Sequence, residues 1–337
     1  MKIKKILLIS NDKIYLKNKV ISNEFNDTLN IIEAIHNHFN LFIISRSLKK
    51  KSNFTFKFKN KIKRFYLKSI FSFRKKNLKI FMISITPRNF LLYFLLCKFS
   101  DTVKGYVYLR SNGHLEYKSK IGTLGYFIYD IMYKNIQKRL KIIKVSKNII
   151  SKGKVSFLIP SELDSQWLKK VKKKKQLVPK LLYLGRYKKE KGFFSLLNLV
   201  KNFDFEFKLT VAGDDNIFWS KKKNVSFVPK ISDKNKLINL YDDHDIFILP
   251  SFTEGSPKVI LESLARKKPV IIFKDIKHVR LSLKGVFICK RETGSLKNKI
   301  FYILSNYSKI QRMMKENNLP TKKKFQNNLV KILNDLF

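Results

Sequence analysis

Short apolar blocks recur along the whole chain. KILLIS (5–10), LFIIS (41–45), KIFMIS (79–84) and GYVYL (105–109) place apolar side chains on consecutive positions rather than alternate ones. That pattern predicts strands buried on both faces, as in a parallel sheet covered by helices. TLNIIEAIHNHF (28–39), RNFLLYFLLCKF (88–99) and the longer IGTLGYFIYDIMYKNIQKRL (121–140) predict helices, and KIIKVS (141–146) and VSFLI (155–159) return to strand. Pro160-Ser161-Glu162 reads as a helix start, with Ser161 as its cap and Trp167 on the buried side.

The second half repeats the alternation. KLLYLG (180–185), FKLTVAG (207–213), VSFV (225–228), DIFILP (245–250) and PVIIF (269–273) predict strands. GFFSLLNLVKNF (192–203), DKNKLINLYDD (233–243, capped by Ser232 or Asp233) and a segment from Pro257 to Lys267 predict helices. The fold class is therefore α/β, with two doubly wound, Rossmann-like domains facing across a cleft and ligand loops at the carboxyl ends of the strands. The charged, Pro-bearing stretch VKKKKQLVPK (171–180) marks the boundary between domains at 1–175 and 176–315. A last helix in 316–337 is expected to pack back on the first domain.

Composition adds a direction. The 337 residues carry 72 Lys and Arg against 24 Asp and Glu, a formal charge of +48. Such an excess points to anionic partners: nucleotides, phospholipid, polyanionic glycan or nucleic acid. A coding bias toward Lys, Asn, Ile and Phe raises charge in the same way without aiming it at a ligand. Cys97 and Cys289 are far apart in apolar surroundings, which fits a reducing cytoplasmic compartment. The apolar runs in MKIKKILLIS and at 90–99 are too short to span a bilayer, so no transmembrane helix is expected. IKRFYLKSIFSFRKK (62–76) reads as a basic amphipathic helix, suited to an anionic membrane surface or to packing its apolar face inward.

Two segments carry candidate chemistry. In LGRYKKEKG (184–192) Gly185 permits a tight turn after a strand, and Gly192 lets the backbone enter a helix closely. Arg186 and Lys191 of this loop are placed to hold one anion, helped by the helix N-terminus. In PSFTEGSPKVILES (250–263) Glu254 leaves the carboxyl end of a buried strand, where ligands bind in open α/β sheets. Gly255 and Ser256 follow, and Pro257 suits the first helical position. Val259, Ile260, Leu261, Leu264 and Ala265 form the expected buried face, while Glu262 lies on the other, in line with Lys258 and Arg266.

Taken together and in order, GR(x4)KG, a strand ending at Gly213, and DIFILPS(x2)EG(x2)KVILES resemble the C-terminal domain of retaining GT-B glycosyltransferases of family four, over about 180–275. The resemblance implies a donor-binding domain at 176–315 and an acceptor-binding domain at 1–175. It implies that Arg186 and Lys191 bind the donor diphosphate and offset its charge as the nucleotide leaves. Glu262 would accept hydrogen bonds from the ribose, Glu254 would orient the donor sugar, and the amides after Gly255 would hold phosphate or sugar oxygens. Gly185, Gly213, Ser256, Pro257 and Val259 would complete the donor site. No metal or cofactor is implied beyond the nucleotide-diphosphate sugar itself.

The first domain departs from the pattern. The first strand leads into NDKIYLKNK without the glycine-rich loop of many relatives, and Pro229 stands where many have glycine. YLRSNGHLEYK (108–118) offers Arg110, His114 and Glu116 as an acceptor or sugar loop. Asp243-His244-Asp245 has the spacing of metal-binding DxD motifs, but its place between helix and strand reads as turn chemistry. The expectation is a cytoplasmic enzyme, peripheral on the inner face of the membrane through 62–76, that moves a sugar to a glycan or lipid-linked acceptor in surface polysaccharide or lipopolysaccharide synthesis, with no specific nucleic acid partner. The alternatives are a GT-B sugar-nucleotide epimerase and, from another class, a polyanion-binding or nucleic-acid-binding protein.

Overall fold

The structure, a computed structural model, describes residues 4–24, 26–52, 54–58, 62–65, 77–151, 155–169, 178–213, 224–280 and 282–337. The chain divides into two compact units, Met1–Glu162 with Thr321–Phe337, and Leu163–Pro320.

The first unit is built on β1 (Lys5–Lys17), β2 (Val20–Asn23), β3 (Asn40–Ser47), β4 (Phe54–Lys57), β5 (Ile62–Arg64), β6 (Asn77–Ile83), β7 (Thr102–Leu109), β8 (Leu140–Lys144) and β9 (Val155–Phe157). Its parallel strands run in the order β5-β3-β1-β6-β7-β8-β9. Leu7 of β1 stands opposite Phe42 on one side and Ile80 on the other. Ile6, Leu8, Ile9, Ile80 and Phe81 are fully buried, as strands without an alternating polar face require. Helices α1 (Asn26–His36), α2 (Pro87–Phe99) and α3 (Gly113–Gln137) connect the strands.

Four local expectations are corrected here. The first strand does not end at Ser10: it passes a bulge between Ile9 and Lys13, then forms a hairpin with β2. The turn residues Asn18 and Lys19 both take positive φ, 51° and 57°, the conformation of a tight two-residue hairpin. Pro160–Trp167 is not a helix; Asp164 Oδ1 instead accepts from the amides of Gln166 (3.0 Å) and Trp167 (3.4 Å), closing a turn with its side chain. The helix expected from 121 starts at Gly113, capped by Asn112, and is broken at Ile121 and Gly122, where φ turns from −137° to 68°. The amphipathic helix expected at 62–76 begins as a strand: β5 pairs with β3, and Phe65 packs edge-on to Phe42 at 5.1 Å. Residues 66–76 lie outside the described residues.

The second unit follows the predicted alternation. It comprises β10 (Lys180–Leu184), α4 (Phe193–Lys201), β11 (Lys208–Ala212), β12 (Val225–Val228), α5 (Lys234–Asp242), β13 (Ile246–Leu249), α6 (Lys258–Ala265), β14 (Val270–Phe273), β15 (Val286–Cys289), α7 (Thr293–Ser305) and α8 (Tyr307–Met314). All six strands are parallel, in the order β12-β11-β10-β13-β14-β15. The chain fills one side of β10 and then crosses to begin the other with β13. The loops after these two strands therefore leave the sheet in opposite directions and open a crevice at their carboxyl ends. Asp233 caps α5, accepting from the Lys236 amide at 2.8 Å.

The unit boundary falls at Glu162, earlier than the charged stretch suggests, because Trp167 is buried edge-on against Tyr241 at 5.7 Å in the second unit. The chain then returns to the first unit as α9 (Lys322–Asn334). Phe325, Leu329 and Leu333 of α9 join the first unit's core, and Lys322 pairs with Glu33 of α1 at 2.7 Å. No helix among the described residues is long and apolar enough to cross a membrane.

The Asp243-His244-Asp245 turn shows how local polar groups are used. His244 binds the Leu240 carbonyl at 2.6 Å and the Thr210 hydroxyl at 2.7 Å, and Asp245 accepts from the Lys180 amide at 2.9 Å. Burial pushes the His244 imidazole below its ordinary pKa, against the opposing pull of the Leu240 carbonyl. The unfolded chain therefore takes up a proton at this position before the folded one does, and stability is lost as pH falls below about 6.5. Thermal melts of His244→Asn between pH 7.5 and 5 should show a shallower loss than the wild type; parallel curves would remove His244 as a contributor.

Candidate functional site

The site in the second unit grows from the ends of β10 and β13. β10 ends at Leu184, and Gly185 follows, its amide bonded to the Ala212 carbonyl at 3.0 Å. Gly213 leaves β11 beside it. A Cβ at Gly213 would stand 1.9 Å from the Gly185 carbonyl oxygen, so no side chain fits there. The two strand ends thus meet backbone to backbone and leave bare walls. Gly185, Arg186, Gly213, Val259 and Glu262 line one pocket of about 310 Å3, with Lys230 and Leu237 among the other walls. This volume is at the small end of the range for ligand pockets, about 300–1,000 Å3.

Arg186 is exposed at the pocket, whereas Lys191 is turned elsewhere. A short 3-10 turn, Lys189–Lys191, delivers Lys191, and Gly192 follows in the left-handed region with φ 68°. A Cβ at Gly192 would lie 1.8 Å from the Pro250 carbonyl oxygen. The loop after β10 therefore lies against the end of β13, and the Phe252 amide donates across to the Glu190 carbonyl at 3.0 Å. Lys191 Nζ reaches Glu254 Oε1 at 2.7 Å, and the Ser251 hydroxyl donates to the same oxygen at 2.7 Å. Both partners of this ion pair are largely shielded from solvent.

Gly255 and Ser256 form a half-buried bend between Glu254 and α6. Pro257 is the cap residue, with Lys258 opening the helix, one position later than expected. Ile260, Leu261, Leu264 and Ala265 are buried as expected; Val259 instead faces the pocket. Glu262 also lines the pocket, and its Oε2 accepts from the hydroxyl of Tyr241 at 2.9 Å. Tyr241 is fully buried beneath Trp167, and burial, then the Glu262 charge and their hydrogen bond, raise its hydroxyl pKa far above the ordinary value. It is therefore a fixed donor. Arg266 is not part of a surface row with Glu262: it is buried and forked onto Asp242 at 2.6 and 2.8 Å.

Sequence reasoning missed four residues that shape this site: Tyr241, Ser251, His278 and Arg291. His278 Nε2 donates to the Glu254 carbonyl at 2.9 Å. Arg291, just beyond β15, donates to the carbonyls of Pro250 (2.8 Å) and Ser251 (3.3 Å) and stacks 3.9 Å above the Phe252 ring. Tyr241, His278 and Arg291 come from other elements and carry no local motif, whereas Ser251 lies three residues before Glu254 in the same stretch.

The first unit has its own pocket, of about 440 Å3, beside the bulge of β1 and at the carboxyl ends of β6 and β7. Arg110 and Glu116 line it with Asn11, Tyr117 and Lys120. The bulge in β1 presents Asp12 to Arg110, which forks onto both carboxylate oxygens at 3.2 and 3.3 Å. Burial alone would raise the Glu116 pKa, but hydrogen bonds from Lys120 (2.7 Å) and Ser111 (2.9 Å) outweigh it and hold the carboxyl below the usual range. His114 does not join them. It is buried among Tyr126, Tyr129 and Tyr133, with Asp130 at 3.3 Å, because the break at Gly122 brings the second half of α3 over it.

The described geometry has counterparts among known proteins. Residues 164–319 match the family model for glycosyl transferases group 1. A putative teichuronic acid biosynthesis glycosyltransferase, TuaC, of Bacillus subtilis is 30% identical over 90 residues, 27% of this chain and 23% of that protein. An uncharacterized glycosyltransferase of Methanocaldococcus jannaschii is 26% identical over 154 residues, 43% of each chain. The aligned segments thus span less than half of either relative. Among solved structures, sucrose-phosphate synthase from Thermosynechococcus elongatus superposes with a TM-score of 0.73 at 14% identity, covering 99% of both chains. Anabaena HepE, crystallised with UDP-glucose, superposes with a TM-score of 0.68 at 12% identity, covering 98% of this chain and 99% of that one. Such identities speak to fold, and both units enter the match. The chain has the GT-B fold, and within it residues 164–319 are similar to the glycosyl transferases group 1 family.

Proposed function

We propose that this chain is a retaining glycosyltransferase that moves a sugar from a nucleotide-diphosphate donor to a glycan or lipid-linked acceptor in surface polysaccharide or lipopolysaccharide synthesis, at the cytoplasmic face of the membrane. The observation that carries the reading is the placement of Arg186 and Lys191 in the loop after β10, Glu254 in the loop after the adjoining β13 and Glu262 on the helix α6 that follows, two of them lining one pocket and two forming one ion pair. Glu262, held by Tyr241, accepts from the ribose hydroxyls. Arg186 and Lys191 meet the diphosphate, and the bend at Gly255 and Ser256 presents backbone amides to phosphate or sugar oxygens. Glu254 orients the sugar. Catalysis is then positional and electrostatic, with positive charge aimed at the leaving group as the sugar develops oxocarbenium character. Positive charge comes from these side chains rather than from a metal. The pocket at Arg110 in the first unit receives the acceptor. The complex of HepE with UDP-glucose supports the donor class.

A thermal-shift panel of nucleotide sugars tests the reading. At least one donor should raise the melting temperature in a saturable way, and Glu262→Ala should abolish the shift. Tyr241→Phe keeps the ring under Trp167 but removes its hydrogen bond to Glu262; loss of one charge-assisted hydrogen bond of about 1.5–3 kcal/mol should weaken donor affinity roughly tenfold or more. If Tyr241→Phe and Glu262→Ala both bind every donor as the wild type does, the ribose assignment fails.

A further inference from the structure

Helices α2 and α3 lie side by side on one face of the first unit's sheet, linking β6 to β7 and β7 to β8. The Tyr93 hydroxyl of α2 donates to the Asn135 carbonyl of α3 at 3.4 Å. Leu92 and Leu96 of α2 and Met132, Tyr133 and Ile136 of α3 turn inward and are buried. The opposite faces ought then to be polar. They are not: Leu91, Phe94, Leu124, Phe127 and Ile131 are each more than half exposed. Leu91 and Phe94 are three apart, and Leu124, Phe127 and Ile131 follow a three-then-four spacing, so each helix carries an unbroken outward apolar stripe.

The surroundings of the stripes are cationic. Lys98 ends the stripe of α2, and Lys134, Lys138 and Arg139 end that of α3; all four are exposed. The two acids on these helices, Glu116 and Asp130, are each paired with the lysine one turn on, at 2.7 and 2.6 Å. We infer that the outward faces of α2 and α3 form a docking surface for an anionic lipid bilayer, with the apolar stripes entering the interface and the lysines meeting the head groups. An apolar centre rimmed by cations matches that boundary. A second copy of the chain would instead set lysines against lysines. This surface is separate from the segment 62–76, most of which lies outside the described residues. The inference does not depend on which sugar or acceptor the enzyme uses.

Vesicle flotation tests it. The full chain should float with vesicles containing about 30% phosphatidylglycerol and fail to float with pure phosphatidylcholine, and binding should fall with added salt. Phe127→Ser with Ile131→Ser, and separately Leu91→Ser with Phe94→Ser, should each cut the floated fraction at least several-fold. Both pairs are exposed, and an unchanged melting temperature confirms that each variant is folded. Flotation by either folded pair equal to the wild type overturns the proposal. So does a wild type that ignores anionic vesicles but sediments as a dimer that these substitutions dissociate.

Discussion

Replacing Lys191 with alanine is expected to lower the kcat of sugar transfer about 10²–10³-fold, the usual cost of losing one preorganised charge aimed at a developing anion. In the free protein this ammonium rests 2.7 Å from Glu254, whose carboxylate is itself held by Ser251. Its position is therefore set by Glu254 before any donor arrives, beside the pocket that Arg186 and Glu262 line, and the proposed diphosphate meets it there. In the proposed reaction, negative charge grows on the departing diphosphate as the bond to the sugar breaks. A unit charge about 4 Å away contributes roughly 4 kcal/mol at an effective dielectric near 20. Part of that is already felt by the bound donor, so affinity falls too, but less than turnover. Lys191→Arg restores the charge without the geometry and should recover part of the rate. Initial-rate kinetics with a donor found in the thermal-shift panel decide the matter. A kcat within a few-fold of wild type would show that the leaving group is met by other residues.

Arg266→Met is expected to destabilise the second unit by about 3–5 kcal/mol, as removal of one partner from a buried ion pair does. The guanidinium forks onto Asp242 and also donates to the carbonyls of Trp167 and Lys169, at 2.9 and 3.0 Å. Methionine fills much of the volume but leaves a carboxylate and two carbonyls without these donors. For a unit of this size each kcal/mol shifts the melting temperature by about 2–4 °C, so a fall of about 6–20 °C is expected. A change of less than about 2 °C would mean that water or neighbouring lysines replace the lost donors. The substitution also loosens the segment that carries Trp167, and with it the packing over Tyr241.

Five of the six strands of the second unit were legible as short apolar runs and each predicted helix as having one apolar side; β15 (Val286–Cys289) was not named. Given that alternation, the ends of β10 and β13 are where a ligand loop belongs, which singles out Arg186 and Glu254; Glu262 was singled out by the family resemblance. What could not be read is which partners those residues keep. Tyr241 looks like one more aromatic on a helix, and only the tertiary fold puts its hydroxyl against Glu262. Arg291 lies 41 residues after Pro250, whose carbonyl it holds. In the first unit the errors share one cause: backbone events with weak signatures. A hairpin at Asn18-Lys19 lacks the usual glycine, and a helix break at Ile121-Gly122 reverses which side of His114 is covered. His114 was read from its neighbours in sequence, and three tyrosines from beyond the break enclose it.

The return of α9 to the first unit bears on the order in which the chain acquires structure during synthesis. Its side chains Phe325, Leu329 and Leu333 belong to the first unit's core, and Gln326 reaches Glu33 at 2.9 Å. These residues leave the ribosome after every residue of the second unit. The second unit can therefore close its core while the first, begun earlier, still exposes the groove on α1 that α9 fills. Of the two units, the one begun earlier is the one finished later, and for that interval its apolar surface is a target for chaperones or for aggregation.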